Sequence, residues 1–366
     1  MTSACDCLER GVACPFLTVA SFANLHRALR TTAKGKRFRR SAAEFLLRGE
    51  HELLRLAEEL AQDRWRPGGY RVFEVVDPKR RRICAAPFRD RVVHQALVQC
   101  IEGPFERGFV YDSYSCRIGK GTHAALQRVR GWARRYPWAL KLDVEKFFPS
   151  VDHAVALQLV ARRVRCGRIL ALLAGILASW TSDEAPLHWY PGDDLFTPGD
   201  RPRGLPIGNL TSQFLANVVL DPVDHRLKDG LGVRAYARYC DDIVVFGCDP
   251  RELQQVRAEI VAALARVRLW PNRRKTRVLP TAQGVPWVGF VVKPDRVEFS
   301  PQGVARVRRR LRAFGARGGW QNPEVRSSLA AWDGHARWGL RPVLLSRMRE
   351  LLQEGGIRSS ARAGGR

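Results

Sequence analysis

The stretch R-Y-C-D-D-I-V-V-F, residues 238–246, decides the fold because it places two adjacent carboxylates between two apolar, strand-like segments. The segments 233–239 and 243–246 are typical of strands, and the polar turn between them predicts a hairpin with Asp241 and Asp242 at its tip. Adjacent strand residues point to opposite faces, so we expect one acid to face a common site and the other to point sideways. Asp is common in turns, and the pair alone would fit an ordinary polar turn.

A third acid, Asp143, ends another apolar segment, A-L-K-L-D at residues 139–143, which predicts a strand. If the two strands are neighbours, Asp143 and Asp241 converge. Clustered carboxylates repel each other unless a cation lies between them. Mg²⁺ prefers oxygen ligands and keeps open positions for phosphate, and two such ions can activate a hydroxyl and stabilise a leaving oxygen. The sequence therefore predicts a site for two Mg²⁺ ions, with Mn²⁺ as a substitute.

The composition indicates a globular protein with an anionic partner. Of 366 residues 45% are hydrophobic, and 62 Lys and Arg against 36 Asp and Glu give a net charge of +26. Nucleic acid is the first candidate partner and a membrane surface the second. Seven basic residues and no acid lie in residues 27–40, P-K-R-R-R spans residues 78–82, and fifteen Arg face five acids after residue 295. One such run would be a solvated face, whereas three favour a long nucleic acid track.

The longest apolar run, residues 169–180, has 12 residues, which is too short to cross a bilayer and predicts a core helix. The N-terminus lacks the basic start and apolar block of a secretion signal, so we expect a cytoplasmic protein. The nine cysteines are odd in number and most lie in apolar segments, which predicts reduced thiols. Cys5, Cys7 and Cys14 cluster, but a zinc site there lacks a clear fourth ligand.

Helical and strand patterns alternate irregularly around the central hairpin, which predicts an α+β fold and not a doubly wound parallel sheet. The segment 181–204 is rich in Pro, Gly and Asp and is expected to be a loop. Helical spacing covers residues 40–62, 91–101, 153–165, 169–179, 210–228 (with a bend or break near Pro222) and 252–267, and strand patterns cover residues 70–76, 82–87, 138–144 and 287–292.

Five motifs resemble those of reverse transcriptases, in that family's order, over residues 70–340. The resemblance implies a right-hand polymerase fold with fingers, a palm of antiparallel sheet and helices, and a short helical thumb. It implies a basic helical extension at 1–60, fingers at 61–138, a palm at 139–295 with an insertion at 155–204, and a thumb and tail at 296–366. The motifs are A-L-K-L-D-V-E-K-F-F (139–148), G-L-P-I-G-N-L-T-S-Q-F-L-A-N (204–217), R-Y-C-D-D-I-V-V-F (238–246), N-R-R-K-T (272–276) and V-P-W-V-G-F-V-V (285–292).

The resemblance implies a reverse transcriptase that adds deoxynucleotides to a primer 3′-hydroxyl on an RNA template. Asp143, Asp241 and the Val144 carbonyl would bind the two metal ions, and Asp242 would lie near the primer terminus and contribute to the metal site less directly. Lys275 matches the family's candidate proton donor to pyrophosphate, with an ordinary surface lysine as the alternative. Phe148 matches the steric gate below the sugar, where a flat ring leaves no room for a 2′-hydroxyl.

Further residues take their expected roles from the same resemblance. Lys79 and Arg82 fall in the fingers segment that grips the triphosphate, and Arg117 and Lys120 in the next fingers motif, which touches template or nucleotide phosphates. Each of these four could instead be a solvated charge. Template and primer contacts are also expected from the primer-grip hairpin, which contains Trp287 and Gly289.

The loop motif points to a subgroup. Most relatives carry Gln-Gly after the Pro of the loop motif, whereas this chain has Ile207-Gly208, followed by Ser212-Gln213. The resemblance implies that Ile207, Gly208 and Gln213 contact the nucleotide. This form resembles reverse transcriptases of diversity-generating retroelements, which implies a bacterial or phage-encoded protein. In that group an apolar residue beside the nascent base pair accompanies error-prone copying at template adenines, because an amide can check the pair through hydrogen bonds and isoleucine cannot. The resemblance implies a template RNA and a small basic oligomeric accessory protein. The alternatives are a bacterial antiviral-defence or group II intron-like reverse transcriptase, and a non-enzymatic RNA-binding protein.

Overall fold

The computed structural model describes residues 15–76, 80–184, 188–190 and 192–306, together with residues 309, 327, 338 and 339. Cys5, Cys7, Cys14 and Lys79 lie outside the described residues, as does most of the expected thumb. The helices are α1 (Pro15–Ala20), α2 (Phe22–Ala33), α3 (Arg40–Leu47), α4 (Gly49–Ala61), α5 (Phe88–Gly108), α6 (Thr122–Ala133), α7 (Phe147–Ser150), α8 (His153–Ala161), α9 (Gly167–Ala178), α10 (Thr197–Asp200), α11 (Leu210–His225) and α12 (Pro250–Arg266). The strands are β1 (Arg71–Val76), β2 (Arg80–Ala85), β3 (Trp138–Asp143), β4 (Tyr236–Tyr239), β5 (Asp242–Gly247), β6 (Arg277–Pro280), β7 (Val285–Trp287), β8 (Phe290–Val292) and β9 (Val297–Phe299).

Helices α1 to α4 pack into a core with α5. Leu25, Leu53 and Leu56 are each at most 1% exposed, because apolar residues at helical spacing form one face of each helix. The predicted helix at 40–62 is divided in the structure: α3 ends at Leu47, and Arg48 leaves helical geometry before α4 begins. The apolar spacing continues across this break, which explains why the pattern did not reveal it.

The first two strands form a ribbon that projects from the molecule. They pair antiparallel from Arg71 opposite Ala85 to Val76 opposite Arg80, and all six residues of β1 are exposed. The base of the ribbon is anchored, since Cys84 is 1% exposed and its amide donates to the Ile207 carbonyl at 3.0 Å. The exposed ribbon is thus fixed to the loop that precedes α11.

The central sheet has the strand order β4-β5-β3-β6, and neighbouring strands pair antiparallel. Side chains alternate between its two faces, as the period of a strand requires. Leu140 and Ile243 face the larger core, which includes the N-terminal helices and α11, whereas Ala139 and Val244 face a second core that includes α6. The predicted α+β fold with an antiparallel sheet is therefore confirmed.

Helix α11 passes through Pro222 without a break and continues to His225, where one π-helical turn, Arg226–Gly230, ends it. The break expected near Pro222 is therefore absent, and the α-helix ends about one turn later, at His225. The predicted core helix at 169–179 is present as α9. Among the residues with a described structure, no helix combines the length and apolar character needed to span a bilayer.

A small sheet, β7-β8-β9, follows the central one. The segment 287–292, expected as one short strand, instead spans two strands joined by a two-residue turn. Val288 and Gly289 in this turn have φ of +43° and +90°, which matches the left-handed geometry of tight hairpins. The residue pattern alone did not reveal the turn, because valine rarely adopts a positive φ, whereas the resemblance implied a hairpin here.

Candidate active site

The ends of β3 and β5 bring three acids together. Asp143 lies opposite Asp242 in the antiparallel register. The Val144 amide donates to the Asp241 carbonyl at 3.0 Å, which ties the segment after β3 to the hairpin tip. From the other side, the Asn272 amide donates to the Asp143 carbonyl at 2.7 Å. The convergence of Asp143 with the hairpin tip, expected from the strand endings, is thus present in the structure.

The hairpin tip turns through Cys240, whose φ is +57°. Below it, the guanidinium of the fully buried Arg238 forms a forked pair with Asp224, with distances of 2.7 and 2.6 Å. The same guanidinium donates to the Cys240 carbonyl at 3.1 Å. Burial, assisted by the charge of Asp241, raises the pKa of the Cys240 thiol to about 12. The turn that presents the acids is therefore held from below by a buried ion pair.

Two lysines face the acids. Lys275 Nζ lies 2.5 Å from an Asp143 oxygen, and Lys141 forms an ion pair with Asp242. Burial raises the pKa of Asp241, and the charge of Asp143 adds to this effect. Burial also lowers the pKa of Lys141 to about 7, although Asp143 and Asp241 act in the opposite direction. The site thus concentrates negative charge that requires positive compensation.

The oxygen atoms at this site suit a hard divalent cation such as Mg²⁺, because the side chains that could bind it are carboxylates from two neighbouring strands. The residues that would hold the ions are Asp143, Asp241 and the Val144 carbonyl, with Asp242 beside them. Within the described ranges, no group of three or more His, Cys, Asp or Glu side chains is arranged as a metal site. Asp143 and Asp242 each pair with a lysine.

Lys275 is positioned by a tight turn. The Asn272 side chain accepts hydrogen bonds from the amides of Arg274 and Lys275 at 3.1 and 3.3 Å, and Thr276 Oγ1 donates to the Asn272 carbonyl at 2.8 Å. Because Asn272 also binds the Asp143 backbone, this turn and the end of β3 form one unit. Lys275 is therefore more than a solvated surface lysine, and its proton-donor role stays a prediction.

Phe148 and the loop before α11 lie side by side. Phe147 belongs to the core at 2% exposed, whereas Phe148 is half-buried, with the two ring centroids 5.3 Å apart. The Leu205 amide donates to the Phe148 carbonyl at 2.7 Å. Phe147 is thus a core residue, and Phe148 packs against the same core while part of its ring remains exposed. The gate role of Phe148 stays a prediction.

The loop itself is fixed against the fingers ribbon. Gly208 has φ +116°, and a Cβ there would lie 3.2 Å from an Ile83 methyl, so both conformation and space favour glycine. Asn209, which sequence reasoning did not single out, is buried and bonds Ala86 and Cys84 through its side chain at 3.4 and 3.3 Å. Ile207 is half-buried, and Gln213 is exposed on the first turn of α11.

The cations expected to contact phosphates differ in their surroundings. Arg82 is exposed on β2 and pairs with Asp183 at 2.6 Å. The Arg117 side chain is only 6% exposed; it pairs with Glu106 at 2.9 Å and donates to the Val110 carbonyl at 2.7 Å. It therefore braces its own loop here, which disfavours a phosphate contact. Lys120 is half-buried, with Nζ 3.3 Å from the Tyr111 ring centroid.

In the β7–β8 hairpin, Trp287 is buried and Gly289 is exposed. Trp287 is 1% exposed and its indole donates to the Ala125 carbonyl at 3.3 Å, so it supports the hairpin from inside. Gly289 is exposed at the turn and its carbonyl accepts from the Ser300 amide at 3.1 Å. Of the two, Gly289 lies on the surface that nucleic acid could contact.

Two buried charges near the acids, Lys141 and Arg238, were not found from the sequence. Each is a charged residue inside a strand that is otherwise largely apolar, and that signal was available in A-L-K-L-D and A-R-Y-C. A charge in such a position needs partners, because burial of an isolated charge is unfavourable. The partners come from distant parts of the chain and became evident with the fold.

A protein-family model described as reverse transcriptase (RNA-dependent DNA polymerase) matches residues 76–292. The chain belongs to the reverse transcriptase family. The matched segment of this reverse transcriptase contains all three acids, strand β2, the loop before α11 and the β7–β8 hairpin.

Individual relatives match smaller parts of the chain. The retron Mx65 reverse transcriptase of Myxococcus xanthus is 31% identical over 216 residues, which are 58% of this chain and 46% of that protein. Nuclear intron maturase 1, mitochondrial, of Arabidopsis thaliana is 31% identical over 90 residues, 25% of this chain and 13% of that protein. A solved telomerase from Candida albicans, in complex with a TWJ fragment of telomeric RNA, has a TM-score of 0.43 and 12% identity, and the match covers 65% of this chain and 46% of that chain. The chain spans less than half the length of the curated relatives it matches.

Proposed function

We propose that this reverse transcriptase copies RNA into DNA by joining deoxynucleoside triphosphates to a primer 3′-hydroxyl. The observation that carries the proposal is the meeting of Asp143 with the Asp241–Asp242 tip, tied by the Val144–Asp241 backbone bond. Template RNA, a DNA primer and deoxynucleotides are the partners that follow from this activity, and the cytoplasm is the proposed location.

Each residue of the site has its own proposed role in nucleotidyl transfer. Divalent ions, when bound, neutralise phosphate charge and favour ionisation of the attacking hydroxyl. Asp143 and Asp241 hold the metal site, and Asp242 faces the primer side. Lys275, next to Asp143, donates a proton to the leaving pyrophosphate, while Arg82 exchanges Asp183 for the triphosphate. Phe148 closes the space below the sugar. Positioning and charge neutralisation supply most of the catalysis in this chemistry.

Primer extension on an RNA template with Mg²⁺ and deoxynucleotides tests the activity. We expect Asp241→Ala to lower the rate by about 10³-fold or more, because a lost metal ligand removes several kcal/mol of transition-state stabilisation. Asp295→Ala is the matched control, since this exposed acid pairs only with its neighbour Arg296 among the described ion pairs. Extension by Asp241→Ala at the parental rate would overturn the proposal.

We further propose that copying is error-prone at template adenines, as in a diversity-generating retroelement. Ile207 supports this because it lies in the loop before α11, which is hydrogen-bonded to the β1–β2 ribbon. Its apolar side chain can offer the nascent base pair no hydrogen bond. A small basic accessory protein that assembles as an oligomer would be the additional partner.

The substitution Ile207→Gln tests this error-prone copying. We expect misincorporation opposite adenine to fall by about tenfold, because an amide can again bond the correctly placed pair. Ile207→Val is the control that keeps the residue apolar. Sequencing of complementary DNA from an adenine-containing template measures the error spectrum, and an unchanged spectrum in Ile207→Gln contradicts the idea.

A defence or group II intron-like role is the second candidate. The similarity to a retron reverse transcriptase and to an intron maturase, each 31% identical over its matched segment, favours it. Flanking DNA separates the candidates: a nearby repeat that differs only at adenines supports the retroelement, and its absence supports the second role.

A further inference from the structure

Lys141 is a charged residue in the middle of an apolar strand. It lies between Leu140 and Leu142 of β3 and is 8% exposed. Its sheet partners are Val244 on β5 and Arg277 on β6. Because burial of an ammonium group is unfavourable without compensating neighbours, the groups that surround Nζ indicate what the residue does.

Those neighbours come from two different elements. Asp242, on the catalytic hairpin, forms an ion pair with Lys141, and the ring centroid of Trp287, on the grip hairpin, lies 5.0 Å from Nζ. Trp287 is itself fixed, since it is 1% exposed and bonded to Ala125 of α6. Lys141 therefore connects a carboxylate of the catalytic tip to a rigid ring below the grip hairpin, and a cation over a Trp ring is a favourable contact.

The two acids that face each other across β3 and β5 are held by separate lysines. Lys275 pairs with Asp143, and Lys141 pairs with Asp242, which lies opposite Asp143 at the same end of the sheet. Both acids line an open cleft between the central sheet and the grip hairpin. The cleft is lined by Lys141, Asp143, Asp242, Arg274, Lys275 and Arg277, together with residues of the grip hairpin.

The cleft suits the end of a primer strand. Four of its lining side chains are cationic, which favours a phosphodiester backbone, and the metal-site acid Asp143 lies at its edge. In such a cleft an unpaired Asp242 would repel the incoming strand. An Asp242 that is neutralised and oriented by Lys141 would not.

We propose that Lys141 is a positioning residue that neutralises and orients Asp242 toward the primer cleft and couples this carboxylate to the grip hairpin through Trp287. The proposal rests on the proposed polymerase function and adds a residue to it. Primer binding against the grip hairpin would then be coupled to the orientation of Asp242, because the Lys141 ammonium group contacts both Asp242 and Trp287 of that hairpin.

Primer binding gives the first test. We expect Lys141→Met to raise the Kd for a primer–template duplex by about tenfold, and Lys141→Arg to restore it to within about threefold of the parent. Lys293→Met is the matched control, because this lysine pairs with Glu298 near the same small sheet and lies outside the cleft lining. Fluorescence anisotropy in Ca²⁺ measures the Kd without nucleotide addition.

A double-mutant cycle tests whether Lys141 acts through Asp242. We expect Lys141→Met to change primer Kd and KM by less than about twofold in the Asp242→Asn background, since the interaction is already lost there. Melting temperatures of all variants are measured alongside. Equal effects of Lys141→Met in both backgrounds, or no effect in either, would overturn the proposal and leave a packing role.

Fluorine NMR of 5-fluorotryptophan protein reports the coupling directly. The Trp287 resonance is assigned with Trp287→Phe, and we expect both Lys141→Met and Asp242→Asn to shift it, whereas Lys293→Met leaves it in place. A Trp287 resonance that Asp242→Asn does not move would refute the coupling. This readout and duplex binding need no catalysis, so a parent protein that fails to extend primers would count against the polymerase proposal alone.

Discussion

Phe148 and Ile207 are the two side chains for which we predict an effect on which nucleotide is joined. Both are half-buried, and both are fixed through their carbonyls, by the amides of Leu205 and Cys84. Their backbones are thus set by neighbouring segments, while the side chains remain partly exposed toward the site. Selectivity at these positions should therefore respond to the side chain without loss of the fold.

For Phe148, the expected change concerns the sugar. We expect Phe148→Ala to raise the efficiency of ribonucleotide addition relative to deoxynucleotide addition by about 10- to 100-fold, because removal of the ring opens space for a 2′-hydroxyl. Steady-state kinetics with matched ribo- and deoxynucleotides measures the ratio. Phe196→Ala, at a residue that is 70% exposed, is the control. A ratio equal to that of the parent would remove the gate role from Phe148.

The acids and the buried charges differ in how far the sequence could predict them. Asp143 and Asp241 could be predicted because an acid at the end of an apolar strand has few packing reasons to be there. Lys141 and Arg238 lie within strands, and what they do depends on partners that only the folded chain brings near, such as Trp287. Arg117 shows the reverse case: a motif position suggested a phosphate contact, and the folded loop turns the guanidinium inward.

At the scale of elements, the catalytic hairpin depends on α11. Asp224 of this helix and Arg238 of β4 are both 0% exposed, and Asn217 and Ser113 complete the hydrogen bonds of the guanidinium. An ion pair so deeply buried contributes little net stability compared with apolar residues, but removal of one partner leaves an uncompensated charge. The hairpin is thus specified by a charge pair between the helix and the strand.

This pair predicts an asymmetric effect on folding. We expect Asp224→Asn to lower the free energy of unfolding by about 3–5 kcal/mol, because Arg238 is left buried without its counter-charge. Asp229→Asn, at an exposed acid paired with His225, should cost less than about 1 kcal/mol. Urea denaturation followed by circular dichroism measures both. Equal losses in the two variants would contradict the central role of the buried pair.

The elements themselves were largely predictable from periodicity, and the exceptions have physical causes. The break between α3 and α4 interrupts the backbone at Arg48 but leaves the apolar face continuous, so the pattern shows one helix. The turn between β7 and β8 uses Val288 in a left-handed conformation that only its surroundings can impose. Helix α11 continues through Pro222 to His225, although proline has no backbone amide to donate, because packing of the helix outweighs that loss.

At the scale of the whole molecule, the net charge is +26, and many of the basic residues lie on the surface. The basic residues of 27–40 are all exposed, and they flank Phe38, which is fully exposed as well. The expected division into fingers, palm and thumb remains a proposal at this scale, because periodicity predicts elements and not their grouping into domains. Much of the third basic run lies outside the described residues.

The charge predicts a steep dependence of nucleic acid binding on salt. Each phosphate contact releases counterions, so log Kd should rise linearly with log salt, and Arg37→Gln should lower the slope by up to about 0.7 for a single strand. Arg64→Gln is the control, because Arg64 is already paired with Glu58 at 3.0 Å. Filter binding of RNA between low and moderate salt gives the slopes. A flat dependence in the parent protein would argue against a phosphate track.

The buried thiol of Cys240 has a consequence for how the protein can be labelled. Alkylating reagents attack thiolates, and a thiol whose burial raises its pKa to about 12 is almost entirely protonated in neutral buffer. Cys116 and Cys248, in contrast, are exposed on the described surface. A maleimide dye should therefore mark these two sites ahead of the turn that carries the acids, which offers fluorescent reporters while the catalytic hairpin stays chemically intact.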